Sequence, residues 1–218
     1  MLKTTNLFDL THSIAGNYLS QFDYPWQALK GIKDMILALG PQLGEDYTEV
    51  SPCVWVHRTA TVAPSAYVGS PTIIGPGSEV RHCAYVRGPA LMGADCVVGN
   101  SVELKNVILF DKVQVPHFNY VGDSILGYKA HMGAGAVTSN VKADQSLVVV
   151  KNAGEQFPTG LKKFGAILGD YAEIGCNAVL NPGTVVCPHS NVYPTSCVRG
   201  VIPANSIWKT GGVIVTKK

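Results

Sequence analysis

The chain is expected to be all-β, a parallel β-helix wound from six-residue repeats and preceded by a small helical cap. Three observations lead there. An aliphatic residue recurs at every sixth position as Val56, Val62, Val68, Ile74, Val80, Val86, Met92, Val98 and Leu104, and again as Leu168, Ile174, Leu180, Val186, Val192 and Val198. Four positions after most of them stands a compact side chain such as Ala60, Ala66, Thr72, Ser78, Ala84, Ala90 or Cys96. A period of six matches neither 3.6 nor 7, but it does match one short strand and one tight corner per hexad.

Residues 1–50 lack this repeat. Trp26, Leu29, Ile32, Ile36 and Leu39 have helical apolar spacing, Pro25 suits a first turn and Gly40-Pro41 a stop, so the segment is read as a helical cap for one end of the array. Residues 51–202 form the β-helix. In its triangular form three hexads make one coil of 18 residues, with the aliphatics stacked inside. The repeat stops between about 141 and 163, where Leu147–Val150, a turn over Lys151–Gly154 and a return through Glu155–Phe157 read as a hairpin or loop excursion. Residues 203–218 are read as a closing strand and tail, made basic with Arg199 by Lys209, Lys217 and Lys218.

Composition narrows the function. With 46% hydrophobic and 15% charged residues the chain can bury a core. Lys+Arg of 17 against Asp+Glu of 15 is too balanced to point to nucleic acid or an anionic membrane, so local clusters must carry any anion binding. No apolar run or leader-like segment argues for a membrane span or export, and a cytoplasmic location is expected. The six cysteines have no CxxC spacing and are read as small core residues, without zinc or disulfides.

Residues 18 apart lie on adjacent coils, one strand spacing or about 4.8 Å from each other. Arg87 and Lys105 are such a pair, each directly after an inward aliphatic. Two stacked cations repel unless an anion lies between them, and a phosphate is the natural guest; the alternative is two solvated surface cations. Beyond Leu104 the inward positions become Leu109, Val115, Val121, Leu126 and Met132, which puts a five-residue step on each side of the stretch around His117. Such slips can re-aim a side chain, as bulges do beside active sites.

Four segments, Val98–Lys105, His117-Phe-Asn-Tyr-Val-Gly-Asp-Ser-Ile-Leu-Gly127, Met132-Gly-Ala-Gly-Ala-Val-Thr-Ser-Asn140 and Lys163–Asp170, resemble the acetyltransferase half of the bifunctional glucosamine-1-phosphate acetyltransferase/N-acetylglucosamine-1-phosphate uridylyltransferase family. The excursion before Lys163 is similar to that of sugar-1-phosphate nucleotidylyltransferase/acetyltransferase relatives. The resemblance implies a left-handed β-helix that forms a homotrimer with active sites between subunits, using acetyl-CoA and a sugar phosphate. It makes His117 the general base. Arg87, Lys105, Tyr120 and Lys163 become contacts to the sugar phosphate, with His131 beside the amino sugar. Ala134, Asn140, Val141 and Cys176 lie along acetyl-CoA.

That chemistry wants these residue types. An amine attacks a thioester only when neutral, which a histidine near pH 7 can arrange; Gly-rich Met132–Gly135 could offer backbone N–H groups to the oxyanion, and no metal is needed. The chain departs from the family at His131, where the family has Asn, and at Val141, where it has Tyr, and both departures bear on substrate identity. It lacks the uridylyltransferase domain with its Gly-rich nucleotide loop, so UDP-sugar synthesis by this chain alone is not expected, although a separate nucleotidylyltransferase could be its partner. Two other readings stay open. One is a non-enzymatic trimeric assembly or regulatory subunit. The other is a metal enzyme of the γ-carbonic-anhydrase type, which would need a close histidine pair where this chain offers only His117 and His131, 14 apart.

Overall fold

The computed structural model describes residues 1–217; Lys218, counted above with the basic C-terminal end, lies outside the described residues. The chain forms the expected left-handed parallel β-helix, with two- to seven-residue strands stacked in register on three faces. The inward positions of face one are Val56, Ile74, Met92, Leu109, Leu126, Leu168, Val186 and Ile202. Face two stacks Val62, Val80, Val98 and Val115, then Met132, Ile174, Val192 and Trp208. Face three stacks Val68, Val86, Leu104 and Val121, then Thr138, Leu180 and Val198. Beyond the first coil nearly all are buried, each worth about 1.5–3 kcal/mol of burial for an aliphatic side chain.

Past the first coil, the corners between faces one and two and between faces two and three each have one left-handed residue at a fixed position. Between faces two and three these are Cys83, Ser101, Phe118, Gly135, Asn177 and Thr195, all with positive φ. Gly99 shows how tightly coils pass there: a Cβ on it would lie 1.6 Å from the carbonyl oxygen of Pro116.

Both five-residue steps are present, and both fall at one corner. Strands Glu103–Leu109 and Tyr120–Leu126 run unbroken from face three into face one, with Asn106 (φ 55°) and Asp123 (φ 48°) at the missing corner. His117 therefore sits in an ordinary six-residue step from Val115 to Val121, and the short steps re-aim Asn106 and Asp123 instead.

Face one differs from the others in burying its outward side as well as its inward one. Its outward residues Ile73, Leu91, Ile108, Ile125, Ile167 and Val185 are fully buried. The N-terminal segment covers them: a 3-10 stretch Pro25–Gly31 and an α-helix Ile32–Leu39 pack on strands Ala90–Met92, Glu103–Leu109 and Tyr120–Leu126. The helical segment thus lies along the flank of the middle coils rather than across the end, because that flank offers the wider apolar surface. At the first coil Val56, Ala60, Val62, Ala66 and Val68 stay half-exposed around an apolar cavity of about 370 Å³.

The excursion is a hairpin, Val149–Asn152 against Glu155–Pro158, turning on Ala153 and Gly154 with φ of 46° and 90°. The turn is thus shorter than the sequence suggested, since positive φ at both central residues is what a two-residue loop requires. The C-terminal end also winds further than expected: Ser206–Trp208 still stacks on Asn191–Val192, and Ile214–Thr216 pairs antiparallel with it. All six cysteines are unpaired, but only Cys96 and Cys187 are buried; Cys83, Cys176 and Cys197 are exposed at corners or on face three. No helix among the described residues is long and apolar enough to cross a membrane.

Candidate active site

Two corners flank face three, and the candidate residues divide between them. The first is the shortened corner between faces three and one. Asp123, with 5% of its side chain exposed, accepts from Nζ of Lys105 at 2.8 Å and from Nδ2 of Asn106 at 2.9 Å. Nδ2 of Asn140 donates to the same carboxylate and, at 3.2 Å, to the Tyr120 hydroxyl. Burial, then the charges of Asp123 and Glu103, push the Tyr120 phenol above its ordinary pKa.

The excursion returns at this cluster. Phe164 N–H donates to the carbonyl of Asn140 and Gly165 N–H to that of Asp123, both at 2.9 Å. Lys163, immediately before them, is exposed and makes no salt bridge among the described residues. Val141 is 38% exposed on the same corner.

Arg87 and Lys105 do stack on adjacent coils, as their spacing suggested. The anion that relieves their repulsion belongs to the protein, however. Arg87 Nη1 donates to Glu103 Oε1 at 2.8 Å, and Lys105 is held by Asp123. Each cation has its own carboxylate, so the pair stands as a ladder of ion pairs, and a phosphate would share the cations with Glu103 and Asp123.

His117, Ala134 and Cys176 meet at the second corner, between faces two and three, on successive coils. Gly135 N–H donates to the His117 carbonyl, Asn177 N–H to that of Ala134, and Thr195 N–H to that of Cys176, at 2.8–3.0 Å. Asn119, 3% exposed, staples the corner: its Oδ1 accepts from His117 N–H, and its Nδ2 donates to the carbonyls of Gly133 and Ala136. The imidazole of His117 is exposed and makes no hydrogen bond among the described residues. Next to it Phe118 is 60% exposed at a φ of 53°, a strained conformation for a bulky residue.

The Gly-rich run after Met132 offers less to an oxyanion than expected. The N–H groups of Gly133, Gly135 and Ala136 are spent on corner bonds, which leaves Ala134 as the one amide of 133–136 without such a bond. His131 points outward on face two, where Nδ1 lies 2.8 Å from Oε2 of Glu173 on the next coil. It meets none of the other candidates. Among the described residues no three His, Cys, Asp or Glu side chains converge as metal ligands would.

Sequence reasoning passed over Asp123, Asn119 and Glu103. Asp123 was within reach, since with the five-residue step counted neighbouring coils are 17 positions apart, which sets Asp123 over Asn106 and next to Lys105. Asn119 gave no signal, because one buried amide bonding three backbone groups has no spacing of its own.

The family model for the GMPPB C-terminal domain matches residues 88–202. The bifunctional sugar-1-phosphate nucleotidylyltransferase/acetyltransferase of Sulfurisphaera tokodaii is 28% identical over 186 residues, covering 84% of this chain and 46% of that protein. A bifunctional protein GlmU of Methanococcus maripaludis is 28% identical over 205 residues, covering 92% of this chain and 50% of that protein. The chain thus spans about half the length of these curated relatives. Among solved structures, the acetyltransferase domain of PglB from Neisseria gonorrhoeae in complex with acetyl coenzyme A is 16% identical with a TM-score of 0.35, covering 70% of this chain and 52% of that one.

Proposed function

The chain belongs to the family of the GMPPB C-terminal domain, and from that premise we propose that it is an acetyl-CoA-dependent N-acetyltransferase acting on an amino-sugar phosphate such as glucosamine-1-phosphate. The observation that supports this most is His117: an exposed imidazole without a hydrogen-bond partner among the described residues, on a backbone fixed by Asn119, sharing its corner with Ala134 and Cys176. A general base must be free to take a proton and held where the proton arrives.

In this reading the sugar ammonium first releases one proton to solvent, and His117 takes the second, which the nitrogen sheds as the C–N bond forms. The amine attacks the thioester carbonyl carbon, the C–N bond forms, the C–S bond breaks, and the departing thiolate recovers the proton from the imidazolium. The Ala134 N–H faces the developing oxyanion, with acetyl-CoA running past Ala134, Cys176, Asn140 and Val141. Arg87, Lys163 and the Tyr120 hydroxyl take the sugar phosphate, while Lys105 contributes only as far as Asp123 releases it. His131 adds a contact to the sugar from face two. Face three, whose outward Tyr67, Tyr85 and Val179 are 61%, 46% and 37% exposed, is the surface on which a homotrimer would close, bringing both corners to subunit boundaries. Six unpaired cysteines suit the reducing cytoplasm.

The test follows free thiol release from acetyl-CoA with glucosamine-1-phosphate and a panel of amino sugars. Turnover is expected with at least one of them, and His117→Ala should lower kcat by about 100-fold or more without changing thermal stability. No turnover with any amine, together with no protection by CoA against heat, sinks the enzyme reading. The pairing of Arg87 and Lys105 with internal carboxylates favours one second reading, a trimeric assembly or regulatory partner of a nucleotidylyltransferase. That outcome leaves it standing.

A further inference from the structure

Between the excursion hairpin and the late coils lies a cavity of about 260 Å³ that none of the residues discussed so far explains. Lys142, Lys151 and Arg199 line it with Gln156, Gly183 and Gly200, and no carboxylate is part of its lining. The three cations come from three places: the start of the excursion, the hairpin strand Val149–Asn152, and the coil after Val198. Neutralisation is slight. Lys142 Nζ is 3.4 Å from Asp144 Oδ2, a carboxylate with 64% of its side chain exposed in the adjoining groove, and it also bonds Ser146 Oγ. Arg199 Nη2 donates to Asn181 Oδ1, a neutral acceptor, at 3.1 Å. Lys151 is exposed and makes no salt bridge among the described residues.

Cations brought together from separate segments repel, and the arrangement is favourable only with an anion between them. We infer that this cavity binds the phosphate groups of a phosphorylated ligand. It lies on the same edge of the prism as Lys105, its cations running from Lys142, two residues past the Asp123 partner Asn140, to Arg199, which is four coils beyond Lys105 and so roughly 19 Å from it at about 4.8 Å per coil. That separation suits a ligand whose phosphates are remote from its reacting end. Two sources share the chemistry: the phosphates of CoA, an assignment that rests on the acetyltransferase reading, and the diphosphate of a nucleotide.

Binding is tested with inorganic pyrophosphate, which needs no acetyl transfer, by titration calorimetry on the full chain. The wild type should bind it, and Lys151→Ala and Arg199→Ala should each weaken it by about tenfold, with unchanged thermal unfolding. Raised salt should weaken it further. The same variants titrated with CoA, dephospho-CoA and UDP identify the source: a loss for CoA alone assigns the 3′-phosphate, a loss for UDP the diphosphate of a nucleotide. No binding of pyrophosphate by the wild type, or equal affinity in both variants, overturns the inference whether or not acetyl transfer is found.

Discussion

Nζ of Lys105 lies 2.9 and 2.8 Å from the two carboxylate oxygens of Asp123, and this pair is what the shortened corners build. Removing one corner residue in two successive coils straightens the strands and turns Asp123 inward over Asn106 and Lys105. A carboxylate 5% exposed beside a lysine 20% exposed is a largely desolvated pair. Asp123→Asn leaves the ammonium without its counter-charge, at a cost of about 3 kcal/mol. The melting temperature should fall by about 6–12 °C, measured by calorimetry. Glu103→Gln opens the solvent-exposed pair with Arg87 and should leave it unchanged. Equal effects of the two substitutions would show that burial of Asp123 contributes nothing.

Trp26 joins the N-terminal segment to both the hairpin and the re-entry of the excursion, more than 130 residues further along the chain. It is 2% exposed, with ring centroids 4.8 Å from Tyr24, 6.4 Å from Phe157 of the hairpin and 6.1 Å from Phe164 at the re-entry. Trp26→Ala should destabilise the fold by about 3–5 kcal/mol. Because the hairpin loses its anchor as well, limited proteolysis should cut within residues 143–160 sooner than in the wild type. A lowered melting temperature with unaltered hairpin cleavage would confine the role of Trp26 to the N-terminal segment.

These two sites mark how far the sequence can be read. Inward positions such as Val80 and Val98 were legible because the interior accepts only an aliphatic there, and one error would spoil the period. The slips at Leu104–Leu109 and Val121–Leu126 were legible by counting. Which corner they shorten was not, since that needs the phase of every third hexad. The phase was in fact written in Ile73, Leu91, Ile108, Ile125, Ile167 and Val185, an unbroken aliphatic run of outward slots that faces two and three lack, and the same residues fix where the N-terminal helix docks. The stacking of Arg87 on Lys105 followed from spacing, but their charges are settled by Glu103 and Asp123. Side-chain pairing depends on rotamers that spacing does not carry.

Face three supplies a test of assembly. Tyr67 and Tyr85 lie edge to face at 5.5 Å, both exposed, on a surface continued by Val179. If copies of the chain close on this face, light scattering should give about three times the 23.2 kDa of one chain. Tyr85→Glu places a charge within that contact and should shift the mass toward one chain while the far-ultraviolet circular dichroism stays the same. An unchanged trimer in this variant would move the interface to another face.

Asp170 ties the N-terminal segment to the β-helix and gives stability a pH dependence. Its carboxylate accepts from Asp9 N–H at 2.6 Å and from Tyr128 N–H at 2.8 Å, and the residue is 8% exposed. Burial, the largest influence, pushes its pKa above the ordinary 3.8; the two amide bonds and His12 pull it back, and Asp9 adds to the rise. With the folded value the higher one, the folded state holds this proton where the unfolded chain has released it. Stability from this group is therefore greatest below pH 3.8 and declines as pH rises from there to the folded pKa, above which it is constant. Asp170→Asn removes that dependence. Denaturant unfolding at a series of pH values should give a wild-type minus variant difference that falls with pH across this window and then levels; a difference that rises or stays flat would contradict the assignment of the raised pKa to Asp170.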